Sequence, residues 1–291
     1  MSGPVLGKCH PDDIAEYLEL IGDPEAAERF RRGGQRSQGI GNPFRADEWG
    51  YTGAKIGFIP EGTGALETGI ENAIGMEADD SLQEQALKIT LDCFYCHNYP
   101  GMGKHTVLCD FSGKNQCPDE REPMRFTVSL SANDKAPAAH FGLPIFVGVN
   151  VGRDGLSFEG RTVNVCSSAD DLVLDALGAS AFRDGLSLLT TAQPVLKPFV
   201  KLAEGAMGSI LKRRKNREVF KFSLGLDFSK SATSAKLRLG SYVVVQTDEH
   251  DWDWSDFVWD ASGSVRPREG GEGRIGLNYL VFGVTRASEM A

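Results

Sequence analysis

The densest run of reactive side chains is Cys93-Phe94-Tyr95-Cys96-His97, followed closely by His105, Cys109 and Cys117. Cys and His at such spacing suggest metal chemistry, because thiolate and imidazole are the ligands that zinc takes in a tetrahedron. Cys93, Cys96, His105 and Cys109 are the candidate zinc ligands, with His97 and Cys117 beside them, and a zinc-dependent hydrolase is the function they would serve. The pattern departs from a zinc ribbon, since seven residues separate Cys109 from Cys117. The letters also match a c-type haem attachment site. That reading is set aside, because two bulky aromatics lie between the thiols at the end of an expected strand. The competing view is that these thiols are small buried hydrophobes.

A second constellation runs from Asp248 to Asp260 and holds six acidic residues and three tryptophans among thirteen. Crowded carboxylates repel one another unless a cation sits among them, so Asp251, Asp253 and Asp256 are candidate calcium ligands. Trp252, Trp254 and Trp259 are candidate apolar anchors for a partner. The alternative is that the tryptophans pack inward, with a short strand over 256–260.

A third feature is a helix expected over 194–215. Leu196, Phe199, Val200, Ala203, Ala206, Met207, Ile210 and Leu211 form one apolar stripe, and Lys212, Arg213, Arg214 and Lys215 form a basic end. Such a helix suits an anionic membrane surface. It equally suits covering the open face of a sheet.

Catalytic signatures are otherwise missing. There is no G-x-S-x-G elbow and no H-E-x-x-H helix, and the glycines at 62, 64 and 69 lack the Lys-Ser or Lys-Thr of a phosphate loop. Cys96, Cys109 or Cys166 can be paired with His105 or His140 on paper only. The sequence therefore favours a non-enzymatic module.

These residues need a scaffold. The 291 residues suffice for a large core, and 41% hydrophobic with 24% charged residues is a globular composition. The 34 glycines beside 13 prolines indicate many turns. Strands are expected at 86–95, 105–111, 124–130, 144–151, 157–165, 219–227, 236–246 and 278–284 from apolar alternation. Turns are expected at Tyr99-Pro100-Gly101 and at Ser112 to Asn115. Asp154-Gly155 reads as a hairpin turn. The fold class is mainly β, a sandwich of about eight strands over 86–291 with a helical insertion at about 168–215. Residues 1–85 form an N-terminal helical and Gly-rich segment, with helices over 11–32 and near 65–73 and one strand near 55–59.

A net charge of −9 makes nucleic acid an unlikely partner. The opening residues carry no basic stretch ahead of a long apolar run, and no run of about 18 apolar residues occurs. Six cysteines is a low density, so free thiols and a cytoplasmic location are expected. The expected function is a binding or effector module that recognises a protein, or an anionic membrane, through loops near 98–104, 112–122 and 247–260, with calcium or zinc as candidate cofactors.

Overall fold

The computed structural model describes residues 4–36, 47–62, 67–116, 121–138, 142–171, 173–174, 196–269 and 273–287. The chain opens with two helices, α1 (Pro11–Leu20) and α2 (Pro24–Arg36). Pro11 starts α1 where its missing N–H costs nothing, and His10 Nδ1 accepts from Asp12 N to cap the first turn. Strands follow: β1 (Ala54–Pro60), β2 (Glu67–Gly69), β3 (Glu71–Asn72), β4 (Ala86–Cys96), β5 (Lys104–Gln116), β6 (Arg121–Asn133), β7 (Ala136–Pro137), β8 (Leu143–Asn150) and β9 (Leu156–Val165). After α3 (Leu196–Leu211) come β10 (Asn216–Asp227), β11 (Ala235–Lys236), β12 (Gly240–Gln246), β13 (Phe257–Asp260), β14 (Val265–Pro267) and β15 (Tyr279–Arg286).

The fold is mainly β and sandwich-like. One sheet has the order β3-β1-β12-β15-β4-β7, with β8 also paired to β4. The facing sheet has the order β11-β10-β9-β5-β6, and a third, small sheet has the order β14-β13-β2. Alternating residues from the two large sheets fill the space between them. Phe282 of β15 meets Phe111, Phe158 and Phe222 of the facing sheet at ring distances of 5.5, 5.3 and 5.8 Å.

The outer face of each large sheet is covered. Ala203, Met207 and Ile210 of α3 pack on Leu108, Val163 and Val165, so the described part of this helix's apolar stripe, residues 203–211, covers the five-stranded sheet. The ends of the 168–215 insertion are tied at buried Asp170, which accepts from Arg213 Nε at 2.7 Å and Asn216 Nδ2 at 2.6 Å. Beside α3, Asp110 is 1% exposed. Its carboxylate accepts from Arg125 at 2.7 and 2.8 Å, from Arg161 Nε at 2.8 Å and from Thr127 Oγ1 at 2.7 Å. That clamp joins β5, β6 and β9.

Several local expectations are corrected. Asp154-Gly155 does turn the chain: Gly152 and Gly155 exchange backbone bonds of 3.0 and 3.2 Å, and Gly155 has φ of +98°. It is not a hairpin, because β8 joins β4 in one sheet and β9 joins β5 and β10 in the other. Turn chemistry reverses the chain without choosing the strand's partner. A Cβ on Gly155 would lie 2.0 Å from the Leu226 carbonyl oxygen, so β10 also demands glycine there. The turn expected at Ser112 to Asn115 is instead paired strand, in register with β6. The single strand expected over 236–246 is broken between β11 and β12, which belong to different sheets. Gly240, at φ +140°, marks the switch. The helix expected near 65–73 is β2 and β3 where it is described, and within the helical insertion expected at about 168–215 residues 172 and 175–195 lie outside the described residues. The boundary at residue 85 cuts across a sheet, since β1 pairs with β12 along its whole length.

The clamp gives a direct expectation. Asp110→Ala leaves two arginines without their shared carboxylate and should cost about 3–5 kcal/mol in urea unfolding. Glu159→Ala removes only the exposed pair with Lys221 and should cost less than about 1 kcal/mol. Equal effects would contradict a buried clamp.

Candidate functional site

The site is built at the end of the sandwich where α1 meets the loop between β4 and β5. Asn164, fully buried at the end of β9, donates from Nδ2 to Tyr17 Oη on α1 at 3.1 Å and to Pro100 O at 2.7 Å. One amide therefore locks helix to loop. Tyr99 donates to Thr162 Oγ1 at 2.6 Å, and Asn278 Oδ1 accepts from the backbone N–H groups of His97 and Asn98. The loop is thus pinned from below.

At its tip the loop carries Gly101 and Gly103, with φ of +98° and +85°. A Cβ on Gly101 would sit 3.2 Å from Ile21 Cδ1, so α1 passes close by. Between the glycines stands Met102, 70% exposed, and beside Ile21 stands Leu20, 39% exposed. Among the described residues these are the exposed large hydrophobics.

Beside α1 lies a cleft of about 350 Å³, lined in part by Leu6, Cys9, Tyr17, Leu20, Leu211 and Arg217. Its basic rim is partly neutralised. Arg214 pairs with Glu16, and Arg213 with Asp170. The basic end of α3 thus meets α1 and the 168–170 turn, while Lys212 and Lys215 lie exposed. Among the described residues no helix is long and apolar enough to cross a membrane.

The Cys/His cluster does not converge. On a strand, residues three apart point to opposite faces. Cys93 lies with Tyr95, Tyr279 and Trp254 on the outer side of the seven-stranded sheet. Cys96 and Cys109 lie between the sheets. Cys93 therefore cannot share a zinc ion with them, and the four-ligand set with His105 is corrected. Cys117 and His140 lie outside the described residues. His105 Nε2 contacts Asp134 Oδ1 at 3.0 Å, and Cys96 Sγ reaches that same oxygen at 3.9 Å. One Asp134 oxygen thus meets both side chains. Burial pushes the Cys93 thiol up to about 12 and raises those of Cys96 and Cys109 as well.

The tryptophans of the 248–260 loop mostly face inward. Trp254 is buried, and Trp252 and Trp259 are half-buried, against Ile59, Val243, Val245 and Val265. Trp252 stacks on Phe257 at 4.4 Å and meets Trp254 edge-on at 5.3 Å. This cluster covers the seven-stranded sheet, so Trp254 is not an exposed anchor.

The carboxylates of this loop have separate partners. Asp248 Oδ1 accepts from Thr52 N and Gly53 N. Asp253 Oδ1 accepts from Ser255 N at 2.9 Å, which holds its carboxyl below the usual range. Asp260 accepts from Ser262 and Ser264. Asp251 and Asp256 are exposed. Among the described residues no group of three or more His, Cys, Asp or Glu is placed to hold a metal ion.

Of the loops expected to make contact, 98–104 projects as a tip. The 112–122 region is strand on both sides of residues 117–120, which lie outside the described residues. Met102 and Leu20 were not singled out from the sequence. A large apolar residue between two glycines in a turn was the available signal. Arg217 and Tyr17 carried no such mark, because Tyr17 reads as one more apolar residue of a helix stripe.

Among the described cysteines of native protein treated with N-ethylmaleimide near neutral pH, exposed Cys166 should be modified first and half-buried Cys9 more slowly. Cys93, Cys96 and Cys109 should react only after unfolding. Fast native modification of Cys96, read by peptide mass spectrometry, would restore a nucleophile reading. The chain matches no family model, no curated protein and no solved structure, so the reading of this surface rests on its own geometry.

Proposed function

We propose that this chain is a non-enzymatic binding module that recognises another protein through the sandwich end formed by α1 and the 98–104 loop. The observation that carries this is the exposure of Met102 and Leu20 next to the close approach of Gly101 to Ile21. Every other large apolar side chain that is described is buried or half-buried. Methionine is enriched at interfaces, where its flexible thioether fits varied surfaces. The loop that presents it is held by Asn164, Asn278 and Tyr99, which lowers the entropy cost of docking.

The chemistry of the buried groups supports binding over catalysis. Thiols held neutral by burial are poor nucleophiles. His105 is 4% exposed, which keeps its ring from reaching a substrate.

The test places a benzophenone amino acid at position 102, and at Lys221 as a control on the exposed face of β10. Illumination in extract of the source cells should give a discrete crosslinked protein from position 102 alone. Adding Leu20→Glu should abolish it while leaving the melting temperature within a few degrees. The same products from both positions, or products unaffected by Leu20→Glu, would overturn the proposal.

A further inference from the structure

Three arginines cluster after α3, and two of them have carboxylate partners. Arg213 is held by Asp170 and Arg214 by Glu16. Arg217 differs. Its guanidinium carbon stands 5.9 Å from the centroid of the Tyr17 ring, and among the described residues no carboxylate lies within ion-pair distance of it. Arginine over an aromatic ring keeps its N–H fork available for a planar oxyanion.

Arg217 lines the cleft beside α1. The acids on the wall are mostly engaged: Glu16 by Arg214, and Glu218 by Arg161 at 3.4 Å. Asp13, the remaining one, is exposed to solvent. The rest of the wall includes Leu6, Leu20 and Leu211. Charge and apolar surface thus meet in about 350 Å³, within the range that holds a small organic ligand.

We propose that this cleft binds a small organic carboxylate, its oxyanion on Arg217 and its apolar body against Leu6, Leu20 and Leu211. The site is separate from the Met102 tip, although Leu20 borders both. The proposal does not depend on a protein partner.

Cys9 lines the same cleft, so its alkylation reports occupancy. Iodoacetamide adds a carbamidomethyl group to the thiolate with loss of iodide, and the modified peptide is counted by mass spectrometry. Octanoate is the probe, octanol supplies the tail without the charge, and acetate supplies the charge without the tail. Octanoate should slow Cys9 alkylation in a saturable way, while octanol and acetate at equal concentrations should do so weakly or not at all. Arg217→Gln should raise the octanoate concentration needed by roughly tenfold or more, the factor expected from losing a charge-assisted hydrogen bond. Arg217→Lys should fall between the two, since it keeps charge without the fork. No saturable protection by octanoate, equal protection by octanol, or protection unchanged in Arg217→Gln would overturn the proposal. If Arg217→Gln does not fold, the comparison of octanoate with octanol on the native chain decides alone.

Discussion

The contact of Phe282 with three phenylalanine rings of the opposite sheet is the constraint on which the rest of the molecule depends. Phe111, Phe158 and Phe222 come from three adjacent strands, β5, β9 and β10, and all converge on one ring of β15. The contacts with Phe111 and Phe158 are edge-on, which suits the charge distribution of aromatic faces, and each adds about 0.5–1.5 kcal/mol beyond the area it buries. The same contacts limit the neighbouring backbone. A Cβ on Gly160 of β9 would come within 2.2 Å of the Phe222 ring, so this glycine is part of the packing. The sheets are thereby set in one relation, and every loop at their ends inherits its position.

With the inner faces matched, the outer faces take different covers. On the five-stranded sheet α3 supplies aliphatic side chains, and Asp110 gathers two arginines beside them. On the seven-stranded sheet the small third sheet and the Trp252–Trp254–Phe257 cluster do the same work. Both features have the look of functional elements in a sequence: a basic amphipathic helix and an acidic, tryptophan-rich loop. In the fold the described apolar parts, Ala203, Met207 and Ile210 of α3 and Trp254 of the loop, act as cover. Among the described residues the exposed large hydrophobics, Met102 and Leu20, lie at the end where Asn164 joins α1 to the 98–104 loop.

The β class, most strand positions and α3 were legible because alternation and helical spacing are local properties. His105, Val107 and Cys109 share a face as their spacing requires, and Val107 and Cys109 lie in the main core. Which strands share a sheet was not legible. Asp154-Gly155 carries a true turn signal, yet the strands it joins face each other across the core. The C-x2-C spacing misled for a related reason, since a spacing that suits a turn separates the thiols when laid along a strand. The bulge opposite Val281 and Phe282, which sets the facing of Cys93, has no local mark. The site itself was half legible: the 98–104 loop was visible as a turn, but its pairing with α1 depends on Asn164, more than sixty residues away.

We propose the α1 and 98–104 end as the surface that meets a partner. Amide hydrogen exchange, measured on the free chain and on the chain with the protein captured at position 102, checks this surface residue by residue. New protection should be confined to residues 11–22 and 98–104, with the 248–260 loop unchanged. Protection centred on 248–260, with the 98–104 amides exchanging as in the free chain, would contradict it and return the tryptophan loop to the role of contact surface.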